Sequence, residues 1–213
     1  MTDQGLYLDR VSIALNGHTL LALTSHVEPG CVLTIMGPSG SGKSSLLAYI
    51  GGFLDPMFRA TGKVFVGGVE LTALPAEERH AGILFQDPLL FPHMSVAGNL
   101  LFAIQPQVKE KDERLALAEA MLKGVGLEGA SDRDPATLSG GQKARVALAR
   151  VLLSSPRALL LDEPFSKLDQ GLRQQMRELV FTKAQDAGLP VILVTHDDAD
   201  AIAAGGPVIR IGE

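Results

Sequence analysis

The chain has 213 residues, of which 46% are hydrophobic and 20% are charged, and this composition is enough to bury one substantial core. A formal net charge of -5 gives no broad positive surface, so nucleic acid is not an expected partner. The single Cys31 excludes an internal disulfide framework, the first ten residues lack a secretory pattern, and no apolar run reaches the roughly 20 residues that span a bilayer. We therefore expect one cytoplasmic domain whose membrane role, if any, is peripheral.

The first third of the chain predicts strands and one helix. Apolar and polar residues alternate over 6–15, and VLTIM at 32–36 follows a Glu-Pro-Gly turn. The segment KVFVGGVEL at 63–71 predicts a hairpin around Gly67 and Gly68, and SSLLAYIGGF at 44–53 predicts a helix. This part of the chain therefore combines antiparallel strands with one buried strand that leads into a helix.

The rest of the chain predicts helices, followed by an alternation of strands and helices. Apolar residues between Lys109 and Leu127 recur at helical spacing, and ALLLDEP at 158–164 and PVILVTHDD at 190–198 are short apolar runs, each followed by a helical stretch. The fold class is therefore α/β: a mainly parallel sheet, an N-terminal antiparallel β subdomain and an inserted helical subdomain.

The segment GPSGSGKSS at 37–45 fits the phosphate-loop pattern GxxxxGK(S/T) and lies between a predicted strand and a predicted helix. Glycines allow backbone N–H groups to surround phosphates, and the helix N-terminus adds a positive end. Lys43 is expected to reach the β and γ phosphates and Ser44 to ligate Mg²⁺. The motif predicts a nucleotide site formed by Gly37, Pro38, Ser39, Gly40, Ser41, Gly42, Lys43, Ser44 and Ser45.

Polar groups at the ends of other predicted strands complement this loop. Asp162 is the expected metal partner and Glu163 the candidate general base for the attacking water. An Asp-Glu pair after a strand is more often a solvated turn, but its combination with a phosphate loop favours the functional interpretation. His196 ends the next apolar run and is expected to hydrogen-bond the γ-phosphate, and Gln86 follows GILF, where it is only a polar strand end unless the site gives it metal or water to hold.

The segment LSGGQ at 138–142 predicts a second anion-binding helix start. Ser139 is a good N-cap, and Gly140 and Gly141 leave backbone N–H groups uncovered although each costs roughly 1 kcal/mol relative to alanine in a helix. A second phosphate-binding helix end is redundant within one subunit. We therefore expect it to cap a nucleotide held by another copy.

Taken together and in their order along the chain, these motifs resemble those of the ATP-binding cassette (ABC) ATPases. The matching motifs are Walker A at 37–45, a Q-loop at Gln86, the signature at 138–142, Walker B through 162–163, a D-loop SKLD at 166–169 and a switch histidine at 196. The resemblance implies one cassette over 1–213, with 1–86 and 151–213 as the core and 87–150 as the helical subdomain. It also implies ATP and Mg²⁺ as cofactors and a head-to-tail homodimer. The implied catalytic residues are Lys43, Gln86, Glu163 and His196, the metal ligands Ser44, Gln86 and Asp162, and the residues closing on the partner's ATP Ser139, Gly140, Gly141, Gln142 and Asp169.

A narrower resemblance concerns the direction of transport. The segment GILFQDPLLFPHMSVAGNL at 82–100 looks like that of bacterial importer ATPases, and LLLDEPFSKLD at 159–169 is similar to YnjD-type cassettes. This implies integral membrane permease subunits, an extracytoplasmic solute-binding protein and a peripheral location at the cytoplasmic face of the inner membrane. The alternatives are an exporter cassette of the lipoprotein-release or cell-division type, a non-transport ABC ATPase, and a binding module that uses ATP only as a switch.

One position departs from the family. The family usually stacks adenine on an aromatic residue in the loop after the first strand, where this chain has Leu15. Tyr7 is the nearest aromatic residue along the chain, and as a strand residue it is expected in the core. The sequence therefore predicts weak base stacking and a less strict choice of nucleotide.

Overall fold

A computed structural model describes residues 5–212. The strands in that range are β1 (Leu6–Leu15), β2 (His18–Val27), β3 (Val32–Met36), β4 (Phe58–Val66), β5 (Val69–Glu70), β6 (Ala81–Leu84), β7 (Ala158–Asp162), β8 (Val191–Thr195) and β9 (Val208–Arg210). The α-helices are α1 (Lys43–Gly51), α2 (Val96–Ala103), α3 (Lys111–Gly124), α4 (Gly140–Leu153), α5 (Gln170–Asp186) and α6 (Asp198–Ala204). No helix in this range is both long and apolar enough to span a bilayer.

The antiparallel sheet has the strand order β2-β1-β4-β5, as the alternating N-terminal pattern predicts. The turn between β4 and β5 uses Gly67 and Gly68 at φ of 57° and 79°, a left-handed conformation that suits glycine. On β1, Leu6 and Leu8 are fully buried, whereas Tyr7 is 36% exposed and stacks on Phe65. The prediction that Tyr7 belongs to the core is therefore wrong, because it lies on the opposite face of the strand from its leucine neighbours.

The second sheet has the order β6-β7-β8-β3-β9, in which β7 pairs with β8, β8 with β3 and β3 with β9, all in parallel. Strands β3 and β8 are buried along their whole length, as expected for a sheet covered on both faces. The parallel pairing places the carboxyl ends of β3, β7 and β8 at one edge. The phosphate loop, the Asp162-Glu163 pair and His196 follow these three strand ends, which is where α/β folds form their binding sites.

The chain divides into two compact units. The first comprises the described residues up to Ile83, Arg157–Glu163 and the described residues from Phe181 onward, and the second comprises Leu84–Pro156 and Pro164–Val180. The second unit has its own apolar core, which contains Leu100, Leu122 and Val146. It also includes 164–180, outside the 87–150 range expected for the helical subdomain. One reason is that Leu172 of α5 packs on α4 of the same unit.

Candidate functional site

The phosphate loop, 37–42, connects β3 to α1 and surrounds the ammonium group of Lys43. Gly40 and Gly42 have φ of 83° and 89°, so the loop turns through a conformation that side chains with a Cβ rarely adopt. Lys43 is 6% exposed, and its Nζ donates hydrogen bonds to the carbonyl oxygens of Gly37 and Pro38, both at 2.7 Å. The loop therefore holds a buried positive charge beside the N-terminus of α1, an arrangement suited to phosphate.

Close packing fixes both ends of the loop. A Cβ atom on Gly37 would lie 2.4 Å from the carbonyl oxygen of Ile211, and one on Gly42 would lie 3.0 Å from Cβ of Leu20. Inside the loop, Oγ of Ser41 donates to the carbonyl oxygen of Pro38 at 2.8 Å. The loop shape is therefore set by contacts with β2 and the segment after β9 as well as by its glycines.

Ser44 and Asp162 form an oxygen pair at the edge of the parallel sheet. Oγ of Ser44 donates to Oδ1 of Asp162 at 3.0 Å. Burial raises the pKa of the Asp162 carboxyl above its ordinary value. The hydrogen bond from Ser44 and the charge of Lys43 act in the opposite direction, whereas the charge of Glu163 raises the pKa further. Because burial makes the ionised carboxylate less stable, a cation bound beside it would stabilise the charge.

The donor set fits Mg²⁺, which prefers oxygen ligands and commonly binds through one or two protein side chains plus phosphate oxygens and water. Ser44 and Asp162 supply a hydroxyl and a carboxylate oxygen that lie 3.0 Å apart. Within residues 5–212, no group of three or more His, Cys, Asp or Glu side chains is placed to hold a metal ion. A magnesium ion here would therefore depend on the nucleotide for part of its coordination.

Glu163 and His196 form a second polar pair. Oε1 of Glu163 lies 3.1 Å from Nδ1 of His196, and His196 is the more exposed of the two, with 64% of its side chain accessible against 27% for Glu163. Glu163 has φ of 46°, a left-handed conformation that is uncommon for a residue with a side chain, and its N–H donates to the carbonyl oxygen of Val194. Such conformations persist where the surrounding structure enforces them, often at functional sites.

A buried hydrogen-bond chain positions His196. Oγ1 of Thr195 donates to Oδ2 of Asp200 at 2.6 Å and accepts a hydrogen bond from the N–H of Asp197 at 3.1 Å. Asp197 in turn caps the start of α6 by accepting from the N–H of Ala199. The turn that carries His196 is therefore held between the end of β8 and the first turn of α6.

The phosphate loop and Glu163 line an open cleft of about 290 Å³ in the first unit. Its polar part contains Lys43, Ser44 and Glu163, and its apolar part contains Leu15, Leu20 and Phe58. The sequence motifs indicate Leu15 at this site but give no signal for Phe58. Phe58 reaches the cleft because β4 pairs with β1 in a register that sets Phe58 opposite Leu15, a long-range pairing that no local pattern encodes.

The signature segment begins α4 in the second unit. Ser139 is the N-cap, its Oγ accepts from the N–H of Gln142, and the Gln142 side chain accepts from the N–H of Ser139, which forms a reciprocal capping box. A Cβ atom on Gly140 would have no neighbour within 4 Å, whereas one on Gly141 would lie 2.4 Å from Cδ2 of Leu172. Exposed backbone therefore accounts for the glycine at 140, and packing accounts for the glycine at 141.

The remaining predicted site residues also lie in the second unit. Gln86 follows β6 and lines an apolar groove that includes Gly140 and Lys143. Asp169 precedes α5, where its Oδ1 accepts from the N–H of Leu172 at 3.0 Å. The predicted residues are thus divided, with the phosphate loop, the acids and the histidine in the first unit and Gln86, the signature and Asp169 in the second.

A phosphate loop with a buried lysine, placed at the carboxyl edge of a parallel sheet beside two acids, defines the class of P-loop nucleotide-binding proteins. The model of one family, described as ABC transporter, matches residues 20–166. The chain belongs to this family, as an ATP-binding cassette that hydrolyses ATP. The resemblance noted in its motifs is thereby confirmed.

Relatives of known name agree with this assignment. The chain is 47% identical to the uncharacterized ABC transporter ATP-binding protein YnjD of Escherichia coli K12, over 93% of this chain and 91% of that protein. It is 42% identical to the thiamine import ATP-binding protein ThiQ of Jannaschia sp., over 92% of this chain and 84% of that protein. It is also 42% identical to the Fe(3+) ions import ATP-binding protein FbpC of Agrobacterium fabrum, over 91% of this chain but only 53% of that protein, so the chain spans about half of its length.

A solved structure is similar over nearly the whole chain. The dimeric, post-hydrolysis structure of the ATP-binding cassette MJ0796 bound to ADP and Pi matches with a TM-score of 0.78 and 30% identity, covering 97% of this chain and 94% of that one. The expected α/β fold class is confirmed by this likeness and by the two sheets described above.

Proposed function

We propose that the chain is the ATP-hydrolysing subunit of an ABC importer, which energises solute uptake through separate integral membrane permease subunits. Two relatives that match most of this chain are named for the import of thiamine and of Fe(3+) ions, and this supports uptake over export. In this proposal the cassette binds at the cytoplasmic face of the membrane through the permease, and an extracytoplasmic solute-binding protein delivers the cargo.

ATP binding is assigned to the phosphate loop. The backbone N–H groups of 37–45 surround the β and γ phosphates, and Lys43 exchanges its bonds to the Gly37 and Pro38 carbonyls for bonds to phosphate oxygens. Ser44 and Asp162 would hold Mg²⁺, and Gln86 would supply a further contact to the metal or to the attacking water. When bound, the metal neutralises charge on the phosphates.

The observation that carries the hydrolytic role is the Glu163–His196 pair, in which Glu163 lines the cleft that also contains Lys43 and Ser44. The Glu163 carboxylate takes a proton from water as the water oxygen attacks the γ-phosphorus and the bond to the ADP oxygen breaks. His196 positions the γ-phosphate for this attack. The products are ADP and inorganic phosphate.

Closure is assigned to a head-to-tail homodimer. The exposed N–H groups at the start of α4, with Ser139, Gly140, Gly141, Gln142 and Asp169, complete the site around the ATP held by the other copy. The dimeric state of the similar structure supports this arrangement. ATP favours the closed state because it contacts both copies, and ADP does so less because it lacks the γ-phosphate. The two compact units would then be the core and the helical subdomain of one cassette.

The experiment that tests the transport assignment is affinity purification of the tagged chain from detergent-solubilised native membranes, with partners identified by mass spectrometry. We expect a polytopic permease, together with a secreted solute-binding protein. Recovery of a lipoprotein-release or cell-division permease would replace import with export. Recovery with ribosomal or DNA-repair proteins would leave the ATPase chemistry in place and overturn the transport role.

A further inference from the structure

The nucleotide cleft has an apolar end formed by three side chains. Leu15 and Phe58 end β1 and begin β4, where they are direct antiparallel partners, and Leu20 follows on β2. The opposite part of the cleft contains the phosphate loop and Glu163. A nucleotide whose phosphates bind at Lys43 therefore has an apolar wall available for its base.

Phe58 is suited to contact that base. It is the aromatic residue that lines the cleft, and it is half-buried because one side of the ring packs against the core of the first unit. Packing of this kind fixes a ring while part of it stays accessible. A fixed ring offers a flat surface to a base at little cost in side-chain entropy, which a leucine at the same place cannot match.

We propose that Phe58 is the base platform of this chain and that its ring stacks on the purine of the bound nucleotide. The platform comes from the start of β4, whereas Leu15, the last residue of β1, completes the apolar wall with Leu20. None of these three side chains has a hydrogen-bonding group, so stacking area selects purine over pyrimidine nucleotides. The inference rests on the proposed nucleotide site at the phosphate loop.

The decisive test separates base binding from phosphate binding. Titration calorimetry, with Mg²⁺ present, compares the β,γ-methylene analogue of ATP with inorganic tripolyphosphate, which has no base. In Phe58→Leu we expect the dissociation constant for the analogue to rise about tenfold or more, since stacking of a base on an aromatic ring is typically worth that much, while tripolyphosphate binding stays unchanged. Equal weakening of both ligands, or of neither, would overturn the proposal.

Phe65→Leu is the matched control. Phe65 lies on the same strand, but it stacks on Tyr7 at a ring-centroid distance of 6.5 Å and does not line the cleft. The same loss of aromatic surface there should leave both ligands unaffected. If the unaltered chain binds neither ligand, the proposed function fails; if it binds the analogue no more tightly than tripolyphosphate, only the base platform fails.

A second variant reports stacking directly. The chain has no tryptophan, so Phe58→Trp introduces a single tryptophan whose fluorescence can be followed selectively. We expect the ATP analogue to quench its fluorescence and tripolyphosphate to leave it unchanged. Saturation with the analogue without any change in fluorescence would contradict stacking at this position, even in a variant that folds and binds normally.

Discussion

The chain contains two helix N-termini expected at phosphates, and they are built differently. Helix α1 begins after Gly42 with no side-chain cap and with Lys43 as its first residue, close to the Ser44–Asp162 pair. Helix α4 begins with a complete capping box between Ser139 and Gln142 and has no acidic residue in its first turn. The first helix start therefore lies beside Lys43 and Asp162, whereas the second begins with a capped turn at the exposed Gly140. In the proposed mechanism the first helix start holds ATP for hydrolysis, while the second only recognises the phosphates of the other copy's ATP.

Glu163→Gln tests the chemical half of this comparison and should have the largest effect. Replacing a general base typically costs about 10²–10⁴-fold in rate, so ATP hydrolysis should fall within that range while ATP binding persists. The variant should accumulate as a dimer at saturating Mg²⁺-ATP, measured by light scattering. A hydrolysis rate close to that of the unaltered chain would contradict the role of Glu163 as general base.

Gly141→Ala tests the structural contribution of the second helix start. Its new methyl group would lie 2.4 Å from Cδ2 of Leu172, which is a steric clash. Overpacking of this kind typically costs about 1–3 kcal/mol in the free energy of unfolding. Urea denaturation measures the loss. When Leu172 is already replaced by Ala, the added Gly141→Ala change should cost less stability than it does in the unaltered chain. An equal cost in both backgrounds would show that the contact with Leu172 is not its cause.

Gly140→Ala is the matched partner of that variant. Because nothing lies within 4 Å of its new Cβ atom, stability should be unchanged or rise by up to about 1 kcal/mol from helix propensity. ATPase activity should nevertheless fall, because the methyl group covers backbone N–H groups that we propose contact the other copy's ATP. A stable variant with full activity would contradict a recognition role for this helix start.

The effect of Asp162→Asn on stability, measured without nucleotide or Mg²⁺, should be the smallest of these changes. Burial raises the pKa of Asp162 in the folded chain, so ionisation of this group destabilises the fold as the pH rises through that pKa. The Asn variant should therefore be the more stable protein near neutral pH, and its advantage should shrink as the pH falls and the unaltered carboxyl becomes neutral. Denaturation curves over a pH series measure this, and an advantage independent of pH would contradict the electrostatic cause.

The phosphate loop, the acids and the parallel strands could be predicted from sequence because each depends on a local pattern of residue types. Lys43, for example, follows a motif whose glycines and helix start lie within a few residues of each other. Phe58 and Leu172 could not be predicted in the same way. Phe58 reaches the cleft through pairing of β4 with β1, and Leu172 explains Gly141 through a contact between two helices. Both depend on tertiary pairing, which local periodicity does not specify.

The contact between Gly141 and Leu172 also has a mechanical consequence. The side chain of Leu172 packs directly against Gly141, where a larger residue would leave no room, so the start of α4 contacts the start of α5. Asp169 caps α5 at the N–H of that same leucine, and Ser139 caps α4 two residues before that same glycine. Ser139 and Asp169, which we propose to contact the other copy's ATP, are therefore held at a fixed spacing within the second unit.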